Sequence, residues 1–304
     1  MNTPDAQAPA GHGVIHDLAY KRYDGLRRAP AWRPVVIARY ALATQWRQRG
    51  VKLCLLAAML VGALAAAILG AKWGITSMMS SELGARGADD LARALAEGDG
   101  DAAVWALSAQ WVPTMLLTLI CGAPAISADL NAGAFQFHFS RPVTVGQYLV
   151  GRMLSATGWA ALAMLSTLAL LCAVRAGVTG RALPMLAVFL KSLLPVAARV
   201  LTLAAVSLGV SSLTRRKGLA QAMFAATILG TWMTAKILAV SVEKPWISAL
   251  DVMGATDKLA AQLVGAARYA GLAAAAPSLA ALAWSGVFLA IAAWRLSRAE
   301  VVRG

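Results

Sequence analysis

The nineteen residues from Leu53 to Ala71 read LCLLAAMLVGALAAAILGA and contain no charged side chain. A helix needs about 20 apolar residues to cross the hydrocarbon core of a bilayer, which is about 30 Å thick. Lys52 and Lys72 border the stretch, where their ammonium groups can extend to the two membrane surfaces. The stretch therefore predicts a membrane-spanning helix and decides the class of the fold.

Five further stretches of similar character follow in the chain, in which 59% of the 304 residues are hydrophobic and only 14% are charged. The predicted spans are residues 51–73, 105–126, 148–174, 183–213, 219–240 and 277–294. Only the fourth is irregular, because Lys191, Pro195 and Arg199 interrupt it. Since helices satisfy their own backbone hydrogen bonds inside lipid, the sequence predicts an all-α polytopic membrane protein with six transmembrane helices.

The distribution of charge predicts how these helices are oriented. The chain has 28 Lys and Arg residues against 14 Asp and Glu residues, a net charge of +14. If both termini are cytoplasmic, 17 basic residues lie on that side and 8 on the other, while Lys191, Arg199 and Lys236 lie within the spans. This distribution is in keeping with the excess of Lys and Arg in cytoplasmic loops. Because the composition is also rich in Ala and Arg, we expect a multi-pass protein of the bacterial inner (cytoplasmic) membrane. Asp89 and Asp257 are then external, and Arg215 to Lys217 are cytoplasmic.

The segments outside the spans are short. Residues 1–50 are expected to form a disordered cytoplasmic tail and then a helix, Pro34 to Arg49, that lies along the anionic lipid surface. External residues 241–276 carry Trp and Leu among polar residues and predict short interfacial helices before the last span. Residues 295–304 form a cytoplasmic tail. Since the basic N-terminal segment adjoins a span, we predict contact with the lipid bilayer and not with nucleic acid.

Sequence patterns for catalysis and for bound cofactors are absent. The chain has no GxxxxGK[ST], no HExxH and no GxSxG, the patterns of nucleotide hydrolysis, zinc proteolysis and hydrolase nucleophiles. Cys54, Cys121 and Cys172 lie in apolar stretches without a CxxC pair, and the three His residues lie outside the spans. We therefore predict no enzyme activity, and no catalytic, metal-binding or cofactor-binding residue in this chain.

Small residues recur at every fourth position in the first and fifth spans. Such spacing lines one face of a helix and allows another backbone to approach closely in lipid. The stripes include Gly62, Ala66 and Gly70 in the first span, and Ala226, Gly230 and Thr234 in the fifth. Two alternatives remain open: the stripes form a dimer or pathway face, or they pack within one bundle.

The connection between the second and third spans carries the most informative pattern. Residues 127–153 read SADLNAGAFQFHFSRPVTVGQYLVGRM, with Asp129, Gly133, the Ser-Arg-Pro that ends at Pro142, and the pair Gly151 and Arg152 at characteristic spacing. This pattern resembles the intracellular loop of type-2 ABC exporter permeases, in which an acidic residue and a glycine open a short coupling helix and Ser-Arg-Pro precedes the third span. More loosely, the resemblance extends over the whole chain.

The resemblance implies a permease subunit of an ATP-driven ABC exporter. Such a six-span subunit dimerises and docks its loop onto a separate ATPase subunit that is present in two copies. We expect a homodimer here, and a heterodimer is the alternative. The partner ATPase binds ATP and Mg, so this chain itself holds no cofactor. The exported substrate is not indicated. The EAA-type loop of ABC importers is absent, which favours export over import.

The resemblance also identifies an ATPase-coupling loop. Its expected residues are Asp129, Gly133, Phe135, Gln136, Phe137, His138, Arg141 and Pro142. This sequence departs from the family, which often has Thr-Leu-Glu after the glycine, because neutral Gln136 replaces the second acid and the surface becomes aromatic. We therefore expect Phe135 and Phe137 to serve as apolar anchors for the ATPase and Asp129 to cap the start of the coupling helix. The alternative is an interfacial loop whose phenylalanines dip into lipid.

Two other functions remain possible at this point. An ATP-independent secondary transporter needs ionisable groups inside the bundle, for which Lys191 and Arg199 are the deepest candidates. The predicted spans contain no acid that could pair with either of them. A membrane scaffold or immunity protein is the alternative outside transport.

Overall fold

The computed structural model describes residues 32–82, 102–135, 143–180, 182–241, 247, 250–264 and 275–301. Within these ranges the chain forms helices and no β-strand. Six helical segments are long and apolar enough to cross a membrane, with mean hydropathies from 1.5 to 2.5. The predicted all-α, polytopic fold is therefore confirmed.

Nine helices are labelled in the described ranges. They are α1 (Arg33–Trp46), α2 (Arg49–Glu82), α3 (Trp111–Cys121), α4 (Ala125–Asn131), α5 (Val145–Thr179), α6 (Ala182–Ser212), α7 (Lys217–Ser241), α8 (Val252–Val264) and α9 (Ala275–Val301). The six candidate spans lie in α2, in α3 with α4, and in α5, α6, α7 and α9.

The second span differs from the single helix predicted over residues 105–126. Residues 102–109 are helical, but the helix is interrupted at Gln110 before α3 begins. Pro113 lacks the backbone N–H that a continuous helix would bond to the carbonyl four residues earlier. A second turn ends at Pro124, after which α4 begins. The crossing is therefore made by α3 and α4 together, and it lies closer to the following loop than predicted.

Helix α6 is the central helix of the bundle. Most of its residues are buried, whereas α7 and α9 are largely exposed. It packs against α5, α8 and α9. The sequence predicted an irregular fourth span, but α6 continues through Pro195 without a break. Its second half is rich in small residues, and an ideal Cβ built at Gly209 would lie 2.6 Å from Phe288 Cδ1, so α6 and α9 approach closely there.

The short helix α1 lies against α5. An ideal Cβ at Gly151 would lie 2.8 Å from Ile37 Cβ, and the rings of Trp46 and Trp159 stack with centroids 5.0 Å apart. The helix predicted from Pro34 to Arg49 is thus present with an earlier end. One side of α1 docks on the bundle, while Trp32 and Tyr40 stay exposed.

Helix α8 lies beside α6 and runs in the opposite direction. Buried Met253 shares an apolar cluster with Leu203, whereas Ala260, further along α8, shares a cluster with Val196. The sequence predicted short helices in this region before the last span, and α8 is such a helix, with its apolar face packed against α6. Its location on the external side of the membrane stays a prediction.

Candidate functional site

Three side chains of the predicted coupling region form one cluster. Asp129 lies on α4, while Tyr148 and Arg152 lie one turn apart on the same face of α5. Tyr148 Oη donates to Asp129 Oδ2 at 2.6 Å, and Arg152 Nη2 forms an ion pair with the same oxygen. The Arg152 guanidinium also lies over the Tyr148 ring, 5.5 Å from its centroid. The end of the second span is thereby tied to the start of the third.

The loop that this cluster supports has a defined backbone at both ends. Gly133 has a φ of 65°, in the left-handed region, and terminates α4 as Ala134 N–H donates to Asp129 O at 3.0 Å. At the other end, Thr144 and Gln147 form a capping box at the start of α5. The backbone is therefore capped on both sides of residues 136–142, which lie outside the described residues.

Two residues of this region have contacts that differ from those predicted. Within the described residues, Asp129 lies inside α4 and its carboxylate binds Tyr148 and Arg152, so no contact of this carboxylate with a helix start is seen there. Phe135 is not available as an anchor for a partner, because it is 6% exposed and its ring lies edge-on to Tyr148, with centroids 5.3 Å apart. Burial against its own chain removes this ring from water. The remaining expected loop residues, Gln136, Phe137, His138, Arg141 and Pro142, lie outside the described residues.

A groove of about 810 Å³ borders the cluster between α1, α4 and α7. Tyr40 and Gln45 of α1 and Lys217 of α7 line it together with Asp129 and Arg152. The side chains of Arg152 and Asp129 are 16% and 15% exposed. The ion pair therefore lies at the edge of open space.

The small-residue stripe of the first span packs inside the bundle. An ideal Cβ at Gly62 would lie 2.3 Å from Thr167 Oγ1, and one at Gly70 would lie 2.7 Å from Val174 Cγ1. Ala66 between them is 2% exposed. The close approach is therefore between α2 and α5 of one chain, and the dimer or pathway alternative is wrong for this stripe.

Gln110 strengthens the same contact. Its side chain is fully buried, and Nε2 donates to Ala58 O at 2.9 Å and to Thr167 Oγ1 at 2.7 Å. Because these acceptors lie on α2 and α5, the turn before α3 joins three segments. Gln110 was not among the residues predicted from the sequence, although a lone glutamine inside an apolar stretch is a usable signal.

The stripe of the fifth span has the opposite environment. Ala226, Gly230 and Thr234 are exposed on α7. Within the described part of the chain, no atom lies within 4 Å of an ideal Cβ at Gly230. Buried Phe224 and Ile228 mark the face of α7 that contacts the bundle. The stripe on α7 is thus open and remains a candidate dimer or pathway face.

Arg199 is buried near the middle of α6 and is 2% exposed. Its Nη1 donates to Leu107 O at 2.7 Å, its Nε donates to Thr256 Oγ1 at 3.3 Å, and its Nη2 forms an ion pair with Asp257. The predicted spans contain no acid that could pair with this guanidinium. Its partner Asp257 comes from α8, in the region that was predicted to be external. Lys191, the other deep candidate, is exposed and does not share this site.

A cleft of about 550 Å³ opens beside this ion pair, between α3, α7 and α8. Trp111 and Trp232 form apolar walls, with ring centroids 6.2 Å apart. Its charged lining residues are Lys236, Asp251, Asp257 and Lys258. No pattern in the sequence connected these residues, because they lie on three helices separated along the chain.

The two acids of the cleft are occupied by protein partners. Asp257 pairs with Arg199, and Asp251 Oδ1 accepts a hydrogen bond from Met253 N–H at 3.0 Å at the start of α8. Burial raises the pKa of Asp251, while backbone hydrogen bonds oppose the rise. Burial lowers the pKa of Lys258, and the negative charge of Asp251 partly opposes this by raising it. For Lys236 and Lys258, no ion pair or hydrogen bond is present within the described ranges.

The described residues include no group of three or more His, Cys, Asp or Glu side chains that could hold a metal ion. A scan against models of known protein families finds no match to this chain, and a search of curated proteins finds none. The likeness of residues 127–153 to an exporter loop is therefore carried by residues of this chain alone.

Proposed function

We propose that this chain is the permease subunit of an ATP-driven exporter, working as a homodimer with two copies of a separate ATPase. The observation that supports this best is the cluster of Asp129, Tyr148 and Arg152. Asp129 and Arg152 belong to the loop pattern, and their contact joins the loop to α5, a helix of 35 residues. Movement of the loop by an ATPase would therefore be transmitted to a membrane-crossing helix.

A second contact leads from the loop region to the cleft. The backbone N–H groups of Ile126 and Ser127 on α4 donate to Ser211 Oγ of α6 at 3.0 and 2.9 Å. Three turns earlier on α6, Arg199 holds α8 through Asp257. In the proposed mechanism, ATP binding closes the ATPase pair, α4 moves with the loop, and α6 carries the displacement to the cleft.

Photocrosslinking tests the predicted partner. A photoreactive amino acid is placed at Gln136, and a matched control is placed at Val240, which is 87% exposed at the far end of α7. After irradiation of cells of the source organism, mass spectrometry identifies the captured proteins. We expect an ABC-type ATPase from position 136 and none from position 240. Full-length permease with no ATPase captured at Gln136 would contradict the proposal.

Coupling is tested separately from binding. In a variant without native cysteines, Lys258→Cys reports the accessibility of the cleft to an impermeant maleimide, with and without a non-hydrolysable ATP analogue. We expect nucleotide to change the labelling rate of the assembled complex. Asp129→Asn should abolish this change while the ATPase still co-purifies. A change that persists in Asp129→Asn would mean that the cluster does not transmit the movement.

A secondary transporter is the second candidate, because Arg199 and Asp257 form an ionisable pair within the bundle. In that case Asp257 would alternate between Arg199 and a coupling proton, and no ATPase would be captured at Gln136. An imposed pH gradient across proteoliposomes should then change labelling of Lys258→Cys without nucleotide. The same gradient should leave labelling unchanged if ATP drives the movement.

A further inference from the structure

The charge of the cleft between α3, α7 and α8 is not balanced. Asp257 is paired with Arg199, and the carboxylate of Asp251 accepts a backbone hydrogen bond at the start of α8 but keeps its charge. Two ammonium groups, those of Lys236 and Lys258, line the same space. Among the described lining residues outside the Arg199 pair, Asp251 carries one negative charge against these two positive charges, which leaves an excess of one positive charge. An anion that enters it meets two lysines without displacing an internal ion pair.

The walls of the cleft are apolar and partly open. Trp111 and Trp232 line one side, and Leu229 and Met253 line the cleft with them. Trp232 and Leu229 remain 38% and 41% exposed on α7, so this side is not covered within the described chain. Indole rings provide a large apolar surface together with a polar N–H group. A volume of about 550 Å³ is within the usual range for small-molecule sites, roughly 300–1,000 Å³.

We infer that this cleft binds an amphipathic anion, with its phosphate or carboxylate between Lys236 and Lys258 and its apolar body against Trp111 and Trp232. Lysine ammonium groups bind phosphate as compact point charges, and basic pockets between membrane helices bind lipid headgroups by the same chemistry. The role of this cleft as the substrate site of an exporter rests on the proposed function. The binding itself requires only this chain.

Two kinds of molecule could supply an anion with an apolar body. The anion is either the headgroup of a bilayer phospholipid or a free amphiphile that is carried as substrate. Both would place a negative group beside the two lysines and an apolar chain beside the indoles. A soluble probe and a lipid probe, measured on the same variants, separate the two sources.

Dodecyl phosphate is the soluble probe. Full-length protein in phosphatidylcholine nanodiscs is titrated calorimetrically, and empty nanodiscs provide the partition blank. Lys236→Gln with Lys258→Gln is compared with Lys191→Gln, which removes an exposed lysine of α6 outside the cleft. We expect affinity to fall at least tenfold in the double variant and less than twofold in the control. Dodecyltrimethylammonium, which has the same chain and a positive headgroup, should not show this difference.

Phosphatidylglycerol is the lipid probe. Native mass spectrometry counts the phosphatidylglycerol and phosphatidylcholine molecules that each protein retains from mixed micelles. Selective retention of phosphatidylglycerol that is lost in the double variant supports a bilayer lipid, and dodecyl phosphate binding alone supports a free amphiphile. If neither probe distinguishes the double variant from Lys191→Gln, the inference is overturned.

Two controls keep these results interpretable. The single variant Lys236→Gln changes an exposed side chain, so it tests the site even if the double variant does not fold. Elution profiles and melting temperatures verify folding of every variant. Because no ATPase is present in these measurements, their failure is distinct from failure to capture an ATPase at Gln136.

Discussion

Removing the ion pair between Arg199 and Asp257 should lower the free energy of unfolding, and the contacts of the two side chains allow the loss to be estimated. Removing one partner of a buried ion pair typically costs about 3–5 kcal/mol. The side chain of Asp257 is 28% exposed, so water screens part of this loss. Arg199 also keeps Leu107 O and Thr256 Oγ1 as acceptors. We therefore expect Asp257→Asn to lower the free energy of unfolding by about 2 kcal/mol, near the lower end for charged hydrogen bonds.

A double-mutant cycle isolates this interaction. The variants are Asp257→Asn, Arg199→Met and their combination, and unfolding is followed in mixed micelles as the fraction of denaturing detergent rises. Arg199→Met alone leaves Leu107 O without its buried donor, which costs about 1–3 kcal/mol. In the combination neither charge is left unpaired. The loss should therefore be smaller than the sum of the single losses, by about 1.5–2 kcal/mol.

The matched control is Lys191→Met, which removes an exposed lysine from the same helix. It should change the free energy of unfolding by less than about 0.5 kcal/mol. If the losses of Asp257→Asn and Arg199→Met simply add in the cycle, Arg199 and Asp257 do not interact. The ion pair that ties α8 to α6 would then be refuted.

Four further outcomes follow from the described contacts and the predicted orientation. Gly62→Ala should lower the free energy of unfolding by about 2 kcal/mol, because its Cβ overlaps Thr167, whereas Gly230→Ala should change it by less than about 0.5 kcal/mol; detergent unfolding compares the two. Gly133→Ala should cost about 1–2 kcal/mol in the same assay, because its backbone is left-handed while the space around it is open. If the stripe on α7 forms the dimer, Gly230→Leu should lower the dimer fraction in nanodiscs, and Gly230→Ala serves as the mild control; equal fractions would exclude that face. A cysteine at exposed Arg215, placed in a cysteine-free background, should resist an impermeant reagent added outside intact cells; its labelling there would reverse the predicted orientation.

The number and class of the membrane-crossing segments could be predicted from the sequence alone. The span predicted over residues 219–240 corresponds to α7 at Lys217–Ser241, and the charge-free stretch Leu53 to Ala71 lies inside α2. These predictions succeed because lipid imposes the same condition on every segment separately. Each must be long enough, apolar enough and internally hydrogen-bonded, and composition over about 20 residues reports all three.

Which side chains meet was decided only by the tertiary structure. Gly62 and Gly230 have similar sequence contexts, yet one contacts Thr167 and the other is open. Likewise, Asp257 pairs with Arg199, 58 residues earlier in the chain, and no sequence pattern linked the two residues. The free energy of such contacts belongs to two segments jointly and depends on which helices are neighbours. A pattern read along one segment contains only half of that information, so the six spans were predictable while the ion pair and the cleft beside it were not.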